Sequence, residues 1–244
     1  MENTLSSKLL LFANRVAKIP FAKTILKPFY YPYKRKVDER RNRVFRENGV
    51  QVISDFDKCF KENGLTYTLA FGTMLGAIRE HGFIKHDFDL DVFMWAEDYS
   101  PEVKTILEAN GFKLEHRFII DEGISGREET YSKYGVSIDI FYIYSPINEY
   151  HYTCDFKAFP GCITWENSQE KMGGLRARRI EIPISKERIL VDFEGLSLYV
   201  PANYDEFLRF RYGDDYMIPN PSWHNGENPH IVIWEGKKAQ FVKY

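Results

Sequence analysis

The six residues Asp87-Phe88-Asp89-Leu90-Asp91-Val92 constrain this chain more than any other segment, because carboxylates and apolar side chains alternate without a break. A period of two belongs to a β-strand. A strand over His86 to Met94 would turn Phe88, Leu90 and Val92 to a core and line Asp87, Asp89 and Asp91 along the opposite face. Two carboxylates about 4 Å apart repel by roughly 1–4 kcal/mol, depending on how closely the surroundings resemble water. Such a row is either a solvated strand face or the site of a cation. A hard divalent ion such as Mg²⁺ or Mn²⁺ is the natural counter-charge, since it takes carboxylate oxygens and lets nucleotide phosphates complete its shell. At a rise of about 3.3 Å per residue, neighbouring alternate acids can share an ion, whereas Asp87 and Asp91 start about 13 Å apart. Asp89 and Asp91 are therefore the expected ligands, with Asp87 in support at the strand edge.

Two further features weigh against a plain solvated face. Gly72-Thr73 lies about fifteen residues upstream, between an apolar strand-like run (Leu65 to Phe71) and a short helical one (Met74 to Glu80). Amides at the start of such a helix favour an anion. Arg79 near its end is a candidate phosphate fork, or a simple complement to the helix dipole. The second feature is Asp139, alone in the apolar strand Val136-Ser137-Ile138-Asp139-Ile140-Phe141. Burying a lone ionised acid is costly, so it needs a metal shared with Asp89 and Asp91 or a buried arginine.

A chain of 244 residues with 44% hydrophobic and 16% aromatic side chains can bury a core without staples, and its three cysteines form no metal or disulfide pattern. The formal net charge of −2 hides two opposed parts. Residues 1–46 carry +9 and residues 47–244 carry −11. The expected organisation is thus a basic arm, 1–46, before a single domain, 47–244. Within Ser6 to Lys36, Leu9, Phe12, Val16 and Ile19 recur on one helical face, and no uncharged stretch approaches the roughly 18–20 residues needed to span a bilayer. It reads either as an interfacial helix on an anionic membrane or as a helix packed on the body. Nucleic acid is a poor partner for so acidic a body.

Further elements read as a helix from Val50 to Asn63 stopped by Gly64, and a helix capped by Ser100 and ended at Asn110-Gly111. Strands are expected at Phe112 to Ile120 and Gly135 to Tyr144, and a helix from Tyr204 to Tyr212. Residues 150–200 read as short strands and loops. The mixture points to an α+β fold, a mixed sheet flanked by helices.

The motifs together resemble the LicD/fukutin family, whose signature runs approximately GTLLGAhRHxGFIPWDxDhD. It matches Gly72 to Arg79, Gly82-Phe83-Ile84 and Asp87 to Asp91. A later hDhF strand matches Ile138 to Phe141, and a YGxxYxxP segment matches Tyr212 to Pro219. These elements keep their order over about 150 residues. Lys85-His86 replaces the usual Pro-Trp, and Phe88 stands where bacterial members have a second acid.

The resemblance implies a nucleotidyltransferase fold of the DNA polymerase β type. The implied activity is metal-dependent transfer of a phospho-alcohol, phosphocholine or ribitol phosphate, from a CDP-activated donor to a glycan hydroxyl with release of CMP. The acceptor would be a cell-surface or lipid-linked glycan such as lipopolysaccharide, teichoic acid or capsule. The expected place is the cytoplasm, with peripheral contact on the inner face of the membrane through residues 6–36. In this scheme Asp89, Asp91 and Asp139 hold Mg²⁺ or Mn²⁺, with Asp139 also taking the acceptor proton. Gly72 and Thr73, then Arg79, receive the diphosphate. For choline an aromatic cage is needed, for which Trp165, Trp223, Trp234 and Tyr144 offer material. The rival readings are transfer of the nucleotide itself or of a phosphonate or sugar phosphate, and a non-catalytic scaffold in polysaccharide assembly.

Overall fold

The computed structural model describes residues 20–85, 87–147, 149–220 and 229–244. Residues 6–19 of the arm, His86 and Trp223 lie outside the described residues. The chain divides into two compact units, Met1–Glu47 and Asn48–Tyr244. Helix α1 runs from Pro20 to Glu62. The sequence suggests two helical runs, one ending at Lys36 and one from Val50 to Asn63; the structure joins them, since the stretch from Lys34 to Arg46 is rich in Lys and Arg, which keep a helix going. Its stop is as expected: Gly64 takes a left-handed φ of +65° beyond the last turn. Among the described residues no helix is long and apolar enough to cross a membrane.

The second unit is a mixed sheet flanked by helices. Strand β1 (Thr68–Leu69) leads into α2 (Phe71–Arg79), then β2 (Asp89–Trp95), a 3₁₀ turn (Ala96–Asp98) and α3 (Glu102–Ala109). The central run is β3 (Lys113–Ile120), β4 (Gly126–Lys133), β5 (Val136–Ile143) and β6 (His151–Lys157). After it come α4 (Trp165–Met172), β7 (Leu175–Ile182), the hairpin β8 (Arg188–Phe193) and β9 (Leu196–Pro201), α5 (Tyr204–Tyr212) and β10 (Ile231–Lys243). Eight strands form one sheet in the order β1-β2-β5-β4-β3-β10-β7-β6, with β8 and β9 paired separately. In the large sheet β2 and β5 run parallel and the other pairs antiparallel. The sheet curls, since the bridge between Tyr144 and Tyr152 brings β6 back to the end of β5.

The core face of β2 is as its alternation dictates. Leu90 and Val92 are fully buried, each in register with a fully buried isoleucine of β5, Ile138 or Ile140. The α1 residues Ile53, Phe56 and Phe60 are equally buried, with the two phenylalanine rings stacked at 4.1 Å.

Several boundaries differ from expectation, each for a local reason. The first strand is only Thr68–Leu69, because Phe71 adopts φ +38° and swings the chain into α2. Gly72 and Thr73 therefore sit inside the first helical turn rather than before it. Strand β2 begins at Asp89, not His86, because the amide of Asp87 closes a turn onto the carbonyl of Ile84 (3.1 Å). Ser100 does not cap α3 with its side chain; its carbonyl accepts from Val103 (3.1 Å), and Pro101 precedes the first turn. Strand β4 and helix α4 were not foreseen as separate elements, since both faces of each carry polar residues and no period stands out.

Candidate active site

Register brings the expected acids together. Asp91 on β2 pairs directly with Asp139 on β5, one strand spacing away. Asp89, one alternation earlier, is exposed beside them, opposite Ser137. Asp87 has left the strand, yet its side chain still reaches the site. A Cβ placed on Gly72 would lie 3.3 Å from Asp87 Oδ2 and 3.8 Å from Asp91 Oδ2. The missing side chain at Gly72 leaves both carboxylates room against the start of α2.

That helical turn holds Asp91 from three sides. The Gly72 amide donates to its carboxylate. Its own amide donates to Thr73 Oγ1 (2.8 Å), and its carbonyl accepts from Ala70 (2.9 Å). Gly72 and Thr73, expected to face a diphosphate, are engaged here by the strand that carries the acids.

The electrostatics are those of buried carboxyls crowded by like charge. Burial pushes the Asp87 carboxyl up to about 6, with the Asp89 charge adding and Arg79 opposing. Asp139 is pushed up to about 7 by burial, against a hydrogen bond from Thr130, with Asp89 again raising it. Asp91 rises well above its ordinary value through burial and the charges of Asp89, Asp139 and Asp87. Among the described residues, no lysine or arginine pairs with Asp139, and its Oδ1 is buried without a hydrogen-bond partner. The arginine offered by sequence as a structural explanation is absent from that contact set.

A fifth acid, Glu128 on β4, belongs to the same region and was missed. Burial raises it strongly, followed by the charges of Asp139, Asp155 and Asp91, with Lys157 opposing. Thr130, two residues on, is the register partner of Asp139 and also meets His116 Nε2 at 3.1 Å. Strand β4 reads Gly-Arg-Glu-Glu-Thr-Tyr-Ser-Lys, polar on both faces, so no alternation marks Glu128.

The donor chemistry suits a hard divalent cation, because every candidate is a carboxylate oxygen and one of them is buried unpaired. Among the described residues no three acidic, histidine or cysteine groups already converge on a single ion position. That is compatible with Mg²⁺, which is commonly held by one or two carboxylates plus substrate phosphates and water.

The family model described as "LicD/FKTN/FKRP, nucleotidyltransferase domain" matches residues 64–203, which is more than half of the chain and includes Gly72, the acid run and Asp139. This chain belongs to the LicD/fukutin family. Among its relatives, ribitol-5-phosphate transferase FKTN of Mus musculus is 23% identical over 201 residues, 78% of this chain and 39% of that protein. The Homo sapiens protein of the same name is 20% identical over the same share. An uncharacterized protein of Caenorhabditis elegans, T07A5.1, is 32% identical over 173 residues, 67% of this chain and 42% of its own. The chain thus spans about two fifths of the length of the curated relatives it matches.

The remaining family motifs are tied to the acids by contacts. Arg79 donates from Nε to Glu80 (2.9 Å) and from its guanidinium to the carbonyl of Tyr216 (3.2 Å), joining α2 to the Tyr212–Pro219 segment. Tyr212 is itself raised by burial and by the nearby charges of Asp91 and Asp87, with Arg211 opposing. The Gly82-Phe83-Ile84 loop, which leads to Asp87, is clamped by the β8–β9 hairpin tip. Glu194 accepts from the Phe83 amide (3.2 Å) and its own amide donates to the His81 carbonyl (2.8 Å). Phe83 meets Phe193 edge-on at 4.9 Å. A side chain on Gly82 would collide with Glu194, and one on Gly76 with the Gly82 carbonyl, so helix, loop and hairpin interlock through two glycines.

Among the described residues, the aromatic material considered for a choline cage falls into separate clusters. Trp165 packs with His116, Phe118 and Phe241. Trp234 meets Tyr152, which stacks on Tyr144 at 5.3 Å.

Proposed function

We propose that this chain catalyses metal-dependent transfer of a phospho-alcohol from a CDP-activated donor to a glycan hydroxyl, releasing CMP, on a nucleotidyltransferase fold. The observation that carries the reading is the register pair Asp91 and Asp139, with Asp89 and Asp87 beside it: burial and like charge raise both Asp91 and Asp139, and Asp139 Oδ1 is buried without a hydrogen-bond partner. The likeness to the ribitol-5-phosphate transferases FKTN favours ribitol phosphate over phosphocholine as the transferred group. The separate placement of Trp165 and Trp234 points the same way, since choline recognition wants convergent ring faces.

Asp89, Asp91 and Asp139 would supply the carboxylates for Mg²⁺ or Mn²⁺, one or two to an ion, with donor phosphates and water completing each shell. A bound ion there supplies neutralisation of the donor diphosphate and of charge developing on the leaving oxygen. Gly72 and Thr73 fix Asp91 and leave space beside it, and Arg79 contributes a cation at the far end of α2. The acceptor oxygen bonds to the phosphorus bearing the alcohol while the bond from that phosphorus to the bridging oxygen breaks. CMP leaves with the electron pair, and Asp139 receives the acceptor proton. A basic arm held against an anionic inner membrane face would keep the enzyme near a lipid-linked acceptor.

The decisive experiment is a CMP-release assay with CDP-ribitol, CDP-choline and CDP-glycerol in the presence of Mg²⁺ or Mn²⁺. The wild-type chain should release CMP from at least one donor and the Asp91→Asn variant from none. Pyrophosphate from a nucleoside triphosphate instead would establish nucleotidyl transfer, the reading that a nucleotidyltransferase domain keeps open. No turnover of any donor, with no binding of either ion, would leave the scaffold reading.

A further inference from the structure

Beyond the acids, at the other end of β2, lies a cleft of about 230 Å³. At roughly 30 Å³ per water it has room for about seven waters, or one small ring. Trp95, on its wall, shares the strand face of Asp91 but stands four residues along, about 13 Å away at a rise of ~3.3 Å. Phe93 lies between them on the same face, with the ring of Phe71 edge-on to it at 4.9 Å, so an aromatic block separates the cleft from the carboxylates.

The lining is mixed. Trp95 is half-buried and held by the ring of His151 edge-on at 5.0 Å. Glu97 and Asp98 come from the 3₁₀ turn after β2, and Lys186 and Arg188 from the approach to β8 and its first residue. Asp98 accepts from Thr66 at 3.0 Å. Lys186 pairs with Glu97 and places its Nζ 5.0 Å from the indole centroid. Arg188 lies over the ring of Tyr199 at 4.0 Å and donates to the Tyr67 carbonyl at 3.3 Å.

Charge and shape narrow the ligand. Two carboxylates face two cations, so the cleft lacks the positive excess that recognises a phosphate. A cationic ligand would meet Lys186 already over the tryptophan. An apolar ligand would strip water from Glu97 and Asp98 and return no hydrogen bond. A neutral polyhydroxylated ring meets every term: its hydroxyls donate to carboxylates and accept from Lys and Arg, and its C–H face lies on the indole as Lys186 turns from the ring to a ligand hydroxyl. The Lys186–Glu97 pair is more than half exposed on both sides, and such pairs contribute at most about 1 kcal/mol, so it yields cheaply to a ligand.

We propose that this cleft is a binding site for a neutral sugar or cyclic polyol. Trp95 forms its platform, Glu97 and Asp98 accept from the ligand hydroxyls, and Lys186 and Arg188 donate to them. The proposal stands apart from the transferase reading, and its test reads binding rather than turnover.

The full chain, labelled with ¹⁵N, has four tryptophan indole N–H signals, and the Trp95→Phe variant identifies the one from Trp95. Glucose, galactose, mannose and myo-inositol are titrated as neutral probes, with glucose 6-phosphate and CMP as charged ones. At least one neutral probe should shift the Trp95 signal saturably in the millimolar range. Glu97→Gln, an exposed change that leaves the core intact, should weaken that binding roughly tenfold, and Asp89→Asn should leave it unchanged. The proposal is overturned if no neutral probe moves the signal, if a charged probe binds more tightly than every neutral one, or if Glu97→Gln binds as the wild type does.

Discussion

Strand β4 carries two adjacent glutamates whose side chains meet opposite fates on the two faces of one sheet. Glu129 is 1% exposed and fully answered: Arg127 reaches it at 3.0 Å, and the hydroxyls of Tyr131 and Tyr142 donate at 3.0 and 3.1 Å. Arg127 is in turn covered by the ring of Tyr99 at 3.8 Å. Glu128, one residue earlier, turns toward Asp139 and Asp91, where burial and like charge push Glu128, Asp139, Asp91 and Asp87 up, with Lys157 opposing at Glu128 and Arg79 at Asp87. A buried charge closed by the protein's own groups is architecture. One left open to like charges stores repulsion, which a ligand of opposite sign can relieve.

The sharpest way to break this contrast is to remove one charge from each side. Asp91→Asn should lower CMP release by about 10³-fold or more, as loss of a preorganised electrostatic group does. Its circular dichroism and melting temperature should be preserved or improved, because the change also removes repulsion. A normal rate in that variant would end the assignment.

Glu129→Ala should do the reverse. It strands Arg127 in the interior, and breaking a buried pair costs about 3–5 kcal/mol, readable as a lower urea midpoint. If Asp139→Asn destabilised as much as Glu129→Ala, the two faces would not differ in kind.

The third test is pH. The folded-state values of Asp87 and Asp139, about 6 and about 7, lie above the ordinary 3.8. Protonated acids therefore favour the folded form: the stability they contribute is fully present below about pH 4 and is lost as the pH rises to about 7. Without divalent ions, the chain should melt at a lower temperature at pH 8 than at pH 5. Asp139→Asn should flatten that dependence, and Mn²⁺ should raise the melting temperature most at the alkaline end. The smallest effect is expected at Glu194. Its replacement by Ala removes one solvent-accessible hydrogen bond to the Phe83 amide, worth about 0.5–1.5 kcal/mol. It should slow CMP release through misplacement of Asp87 while leaving metal-dependent stabilisation in place.

How much of this was legible beforehand follows the strength of local pattern. The alternation at Leu90 and Val92 was readable because a strand has period two, and the Tyr204–Tyr212 helix because its apolar positions repeat at helical spacing. The acids Asp89, Asp91 and Asp139 were readable because an ionised residue beside apolar neighbours calls for a partner. Glu128 and the Glu129 cluster were not, since a strand polar on both faces gives no sign of which side is buried or by what. The clamp of Glu194 on Phe83 links residues 111 positions apart, beyond the reach of any local period.

By itself, then, the sequence determined which side chains repel one another and which strand must carry them, together with the family to which they belong. Tertiary structure alone decided that Asp139 stands opposite Asp91, that Asp87 returns to the site from a turn, and that Glu129 is neutralised while Glu128 is not. Periodicity is a property of neighbouring residues along the chain, whereas charge compensation depends on which distant strands and loops the fold brings within a few ångströms.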